Sequence, residues 1–280
     1  MLASTFRHLE GIGAIGERRL WDSGCLSWDA LEADMRAARD GARRSKALRG
    51  IEASREALDR GDAAFFLRGL RGAAAARVYP DFRSRIGYVD IETTGLSAWA
   101  EITTIALYGA GALRLYVRGR NLEAFVDDVR RFDVLATYNG ARFDLPFLRR
   151  AFGDVLPAGH IDLCPLLRGL GYRGGLKRCE RLLGIQRQVP GDLDGYWAVE
   201  AWYRHVHGDP DALTLLLRYN AQDVLSLEQL LNIAWSRSMD GHPKPCEQPL
   251  AVQPDLSRID ADTLFFDNQL PPTYCRRPSA

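Results

Sequence analysis

Five side chains in three separated windows carry the chemistry open to this chain. Asp90 and Glu92 lie in Val89-Asp90-Ile91-Glu92-Thr93-Thr94-Gly95. Asp144 ends Tyr138-Asn139-Gly140-Ala141-Arg142-Phe143-Asp144, and Tyr219 and Asp223 bracket Tyr219-Asn220-Ala221-Gln222-Asp223. Carboxylates gathered at one place form an oxygen-rich cage for hard divalent cations. Such a cage is the usual equipment for cutting phosphodiesters. Only a fold that brings distant segments together could assemble it.

The spacings say which local structures would aim these groups. In a strand, residues two apart share a face, so Asp90 and Glu92 project together and repel, and a divalent ion would relieve the repulsion. The plain alternative is a pair of end-of-strand acids beside a turn. Tyr219 and Asp223 are four apart, neighbours on one helical face, close to an apolar stripe of Leu215, Leu216, Val224, Leu227, Leu230 and Leu231. An acid there needs a partner, because burying a lone charge is costly. A salt bridge to a nearby arginine such as Arg218 is the plain alternative. Asn139 and Asp144 sit at a strand-to-helix junction, where both residue types are also favoured for turn and N-cap chemistry.

The elements that must position these residues follow from texture. Residues 1–80 read as helical, with Leu31 to Leu70 rich in Ala, Arg, Leu and Glu. They carry 14 Lys+Arg against 11 Asp+Glu. Tyr79-Pro80-Asp81 breaks the pattern and marks a junction. Short apolar runs then predict strands over 86–91, 102–108, 113–117, 134–138 and 160–162, with Gly109-Ala110-Gly111 as a hairpin break. Helices are predicted over 121–132, with Asn121 as N-cap, and over 144–152, 176–183, 196–205 and 212–234. Asp162 is expected to N-cap a helix. This order implies an α/β fold with a mixed sheet, spanning 81–238 after a 1–80 helical segment. A Pro-rich tail, 239–280, is expected to run extended over the surface or to be partly disordered.

Composition narrows the class. Of 280 residues, 46% are hydrophobic, ample for a packed core. The formal net charge of +1 means that nucleic-acid binding must use local patches. No apolar run reaches the ~18 residues of a membrane span, and Met1 to Leu9 show no secretory signal. Cys25, Cys164, Cys179, Cys246 and Cys275 are odd in number and scattered, which suits neither a disulfide framework nor a zinc knuckle. A cytoplasmic setting is expected.

Taken together, the windows resemble the three motifs of the DEDD superfamily of 3′→5′ exonucleases, which have a ribonuclease H-like fold. Asp90-Ile91-Glu92-Thr93-Thr94-Gly95 resembles the first motif. Asn139-Gly140-Ala141-Arg142-Phe143-Asp144 resembles the second, in the form familiar from the proofreading domains of family B DNA polymerases. Tyr219-Asn220-Ala221-Gln222-Asp223 resembles the third in its tyrosine form; the sister subfamily carries histidine where this chain has Arg218. The resemblance covers roughly residues 84–235. More narrowly, the amino-terminal segment followed by Tyr-Pro-Asp-Phe resembles bacterial YprB-type ribonuclease H-like proteins.

The resemblance implies a ribonuclease H-like mixed β-sheet flanked by helices and a two-metal site of Mg²⁺ or Mn²⁺. Asp90, Glu92 and Asp223 would hold one ion, and Asp90 with Asp144, directly or through water, the other. Tyr219 would orient the attacking water. Backbone groups of Glu92, Thr93 and Thr94 would contact the terminal nucleotide, Leu96 would wedge against its base, and Asn139 and Phe143 would shape the pocket floor. The partner would be nucleic acid, as single-stranded 3′ ends, with DNA or RNA left open. Lys177, after Gly174-Gly175, reads as solvated or phosphate-facing. In the amino-terminal segment, Gly11-Ile12-Gly13 resembles half of a helix-hairpin-helix, whose glycines let backbone N–H groups approach a phosphate; a turn between packed helices is the alternative. A non-catalytic nucleic-acid-binding scaffold on a retained fold is the rival reading of the whole chain.

Overall fold

A computed structural model describes residues 1–37, 41–97, 99–190, 193–242 and 255–261. The amino-terminal part is helical: α1 (Ala14–Asp22), α2 (Trp28–Ala37), α3 (Gly41–Asp59), α4 (Ala63–Gly69) and the single turn α5 (Tyr79–Phe82). Tyr79-Pro80-Asp81, expected to interrupt the helical pattern, instead forms that last turn. Proline is tolerated there because the first turn of a helix has no intrahelical use for its N–H. Tyr79 is fully buried and its hydroxyl donates to Glu228 (3.3 Å).

The sheet has five strands, β1 (Ile86–Thr93), β2 (Ile102–Gly109), β3 (Ala112–Val117), β4 (Val134–Thr137) and β5 (Gly159–Asp162), in the order β3-β2-β1-β4-β5. The β1–β2 and β2–β3 pairs are antiparallel and the β1–β4 and β4–β5 pairs parallel. The β2–β3 hairpin closes through Ala110 and Gly111, both at positive φ (51° and 79°), the backbone that a tight two-residue hairpin loop demands. Helices α6 (Phe125–Val129), α7 (Asp144–Phe152), α8 (Leu163–Gly169), α9 (Leu176–Leu182), α10 (Gly195–Val206) and the 27-residue α11 (Ala212–Ser238) complete the chain.

Alternation along the strands divides the core between two faces. Val89, Ile91, Ile105, Leu107, Tyr116 and Leu135 pack on α6 and α7 through Phe125, Val129, Leu145 and Leu148. The opposite phase, Tyr88, Ala106, Tyr108, Leu115, Val134 and Ala136, belongs to a larger cluster with α11 and the amino-terminal helices. Asp90 and Glu92 share the phase of Tyr88, so they face α11.

Three local expectations change. The helix predicted over 121–132 is a 3₁₀ turn followed by only five α residues, and Asn121 does not cap it. Its side chain accepts from Val117 N–H (2.8 Å) and donates to the Leu115 carbonyl (3.0 Å), closing the end of β3 instead. Within the predicted surface tail, residues 255–261 are packed. Leu256 and Ile259 are buried, and Arg218 holds the carbonyls of Ser257 and Ile259. The rest of the tail, with Cys246 and Cys275, lies outside the described residues. Cys25, Cys164 and Cys179 are free thiols. No helix among the described residues is long and apolar enough to cross a membrane.

Candidate active site

Strand β1 delivers Asp90 and Glu92 from the sheet centre, opposite Ala106 and Thr104 of β2, before a register shift between Glu92 and Thr93 ends regular pairing. Helix α11 crosses this face and presents Tyr219, Asn220 and Asp223. Carboxylate oxygens of Asp90, Glu92 and Asp223 lie within 4.8 Å of one another. Asp144 arrives at the first residue of α7. Strand β4 pairs with β1 only as far as Tyr88, and Asp144 Oδ1 takes over farther along by accepting the Ile91 N–H (3.2 Å). The fold thus brings together Asp90, Glu92 and Asp223, with Tyr219 one turn before Asp223 on α11; Asp144 lies near enough for its charge to act on Asp90 and Glu92 but outside that 4.8 Å group.

Their environment bears on whether they could hold a cation. Asp144 and Asp223 are buried and Asp90 and Glu92 half-buried. Burial first, then the charges of Asp223, Glu92 and Asp144, pushes the Asp90 carboxyl well above the ordinary carboxylate range. Glu92 is raised by burial and by Asp223 and Asp144. Asp144 is pushed up to about 7, mainly by burial. Asp223 is also raised by burial, with Arg187 opposing. An all-oxygen donor set of crowded, desolvated carboxyls fits a hard divalent ion. Asp90, Glu92 and Asp223 could hold one.

Several residues that complete the site are not apparent from local sequence. Asn220 Nδ2 donates to Asp90 Oδ2 (2.7 Å) and to the Asp90 carbonyl (3.1 Å), while its oxygen accepts from Thr104 Oγ1 (3.1 Å). It fixes the Asp90 rotamer from α11. Arg187, rather than Arg218, pairs with Asp223 (2.6 Å), and Glu180 holds the same guanidinium through two 2.8 Å bonds. Lys177 donates to the Tyr219 hydroxyl (2.8 Å), so it is not simply solvated; burial lowers its pKa. Burial, then the nearby charges of Asp223, Glu92 and Asp90, raises the Tyr219 phenol, keeping it protonated. Asp162 caps α8 as expected, accepting from Cys164 N–H (3.0 Å). It also accepts from the N–H groups of Asn139 (2.8 Å) and Ala141 (3.2 Å) and so pins the loop that leads to Asp144.

The remaining predicted residues divide by location. Thr93 is buried and its hydroxyl donates to the Gly95 carbonyl (2.7 Å); Thr94 and the exposed Leu96 continue into the loop after β1. Asn139 is exposed, with φ at 63°, a backbone that asparagine tolerates better than most residues. Phe143 is half-buried against Phe147 (ring centroids 4.9 Å apart). Gly11 and Gly13 lie apart from this cluster, in the loop before α1. Gly11 has φ +85° and lines a cleft with Arg19 and Lys46, and Gly13 is the N-cap position of α1. A separate cleft of about 400 Å³, lined by Gly174, Lys177, Arg178, Arg181, Asp194 and Tyr219, opens on Asp223.

The family model described as the RNase_H superfamily matches residues 87–235. Among solved structures, the family B DNA polymerase of the hyperthermophilic archaeon Pyrobaculum calidifontis is 23% identical at a TM-score of 0.44. That alignment covers 56% of this chain and 26% of the polymerase, about a quarter of its length. The Nibbler EXO domain of Aedes aegypti is 12% identical at a TM-score of 0.37, covering 58% of this chain and 83% of that domain. No curated protein matches the chain.

Proposed function

The chain belongs to the RNase H superfamily, and from that premise we propose that it is a metal-dependent 3′→5′ exonuclease of the tyrosine type. The observation that supports this best is the convergence of Asp90, Glu92 and Asp223 within 4.8 Å, with Tyr219 one helical turn before Asp223. Asp90, Glu92 and Asp223 would hold one Mg²⁺ or Mn²⁺, and Asp90 with Asp144 a second. When bound, such ions supply Lewis-acid stabilisation and lower the pKa of water.

The chain's own residues have distinct tasks. Tyr219 stays protonated, so it orients water and does not act as a base. Its oxygen already accepts from Lys177, which leaves the phenolic proton for donation toward the cleft. Asn220 sets the Asp90 oxygens, and Asp162 holds the loop that presents Asp144. Thr93 and Thr94 backbone groups, Leu96, Asn139 and Phe143 would shape the place of the terminal nucleotide.

One observation favours the scaffold reading. Arg187 already partly neutralises Asp223, so the fold can satisfy that ligand without a metal. Digestion of end-labelled single- and double-stranded DNA and RNA with Mg²⁺ or Mn²⁺ separates the two readings. A ladder growing from the 3′ end, absent in Asp223→Ala, is expected. Binding without cleavage would leave the scaffold.

A further inference from the structure

Six tryptophans occur in the chain. Trp21, Trp28, Trp202 and Trp235 are buried and Trp197 is half-buried, whereas Trp99 is 91% exposed. Such exposure is unusual for the largest apolar side chain, which is highly buried on average. Trp99 is not on a loose end. The Thr94 N–H donates to the Glu101 carbonyl (2.9 Å), and the Glu101 N–H returns to Thr94 Oγ1 (3.0 Å). Within this clasp the Ala100 N–H donates to the Ser97 carbonyl (3.0 Å), Ala100 is buried, and its carbonyl accepts from Arg150 of α7. The indole is therefore presented to solvent by a backbone anchored on both sides.

The anchorage also places it. Glu92 lies two residues before the Thr94 side of the clasp and Trp99 two before the Glu101 side, and each such step spans at most about 7 Å. The indole is thus held within a few nucleotides' reach of the carboxylates. Leu96, 87% exposed, shares the loop. The cleft that opens on Tyr219 and Asp223 is lined by Lys177, Arg178 and Arg181 against Asp194 and Asp223, a slightly positive lining that suits a polyanion. An exposed aromatic ring on the loop that follows Glu92, together with cations lining the cleft at Asp223, is the combination by which single strands are bound irrespective of sequence: cations take the backbone and the ring takes a base.

The geometry points to Trp99 as a stacking platform for an unpaired base of the bound strand, which makes the substrate a single-stranded nucleic acid. This inference rests on the exonuclease reading of the adjacent carboxylates. Stacking needs an unpaired base face, so a fully paired end presents nothing to Trp99.

The test measures binding of fluorescein-labelled dT10 and rU10 in EDTA, with no cleavage, for the full-length wild type, Trp99→Ala and Trp99→Phe. An abasic ten-mer serves as control, and thermal melting verifies the fold. Trp99→Ala is expected to weaken dT10 or rU10 binding by about tenfold or more. Trp99→Phe should recover most of this, and on the abasic strand Trp99→Ala and wild type should bind alike. Equal binding of base-bearing strands by wild type and Trp99→Ala overturns the inference, and so does an equal loss on the abasic strand. If wild type digests 3′ ends with Mg²⁺ or Mn²⁺ in either case, the exonuclease reading stands without it. If wild type neither binds nor digests any strand, both fall.

Discussion

Asparagine at position 144 should stabilise the metal-free protein, and do so increasingly as the pH rises. Asp144 is 4% exposed, and its carboxyl is raised from 3.8 to about 7, chiefly by burial. A carboxyl whose pKa is higher folded than unfolded favours the folded state only while protonated. Its contribution is present below about pH 3.8 and is lost as the pH rises through about 7. Three pKa units at about 1.36 kcal/mol each give a full loss of about 4 kcal/mol at pH 8. Asparagine is isosteric, carries no charge, and keeps the oxygen that accepts the Ile91 N–H. In EDTA, Asp144→Asn should therefore match wild type to within about 1 kcal/mol at pH 4 and exceed it by up to about 4 kcal/mol at pH 8. In a protein of this size that is a rise in Tm on the order of 10 °C. Circular-dichroism melts across this pH range measure it. A variant less stable than wild type at pH 8, or a difference that does not change with pH, would refute the account of Asp144 as a charge buried for function and not for stability.

Mn²⁺ or Mg²⁺ should raise Tm more at pH 8 than at pH 5.5, because raised carboxyl pKa values make protons compete with the ion at Asp90, Glu92 and Asp223; calorimetric titration at the two pH values checks it. Arg187→Ala leaves Asp223 and the fully buried Glu180 without their shared cation, and should cost about 3–5 kcal/mol in metal-free denaturant unfolding, with part of the loss recovered when divalent metal is added. Asn220→Ala frees the Asp90 rotamer and should lower metal affinity or nuclease rate by about 10–100-fold; an unchanged metal titration and rate would remove Asn220 from the site. Asp223→Ala should abolish digestion of labelled 3′ ends while still permitting strand binding in EDTA.

Backbone period alone dictates which faces the chemistry occupies. Alternation in β1 sets Asp90 and Glu92 against Val89 and Ile91, and the four-residue step in α11 pairs Tyr219 with Asp223. Both are local consequences of backbone period, so the shared faces of these four side chains were legible before any fold was known. Local pattern did not determine what neutralises or restrains them. Arg187 reaches Asp223 across 36 residues, and Asn220 reaches Asp90 across 130. Asp162 serves the loop before α7 as well as its own helix, and Asn121 turns from the expected cap to the end of β3. These choices follow from desolvation: once packing removes water, each buried charge or N–H takes whichever partner the assembled sheet and helices place within reach, however distant in sequence.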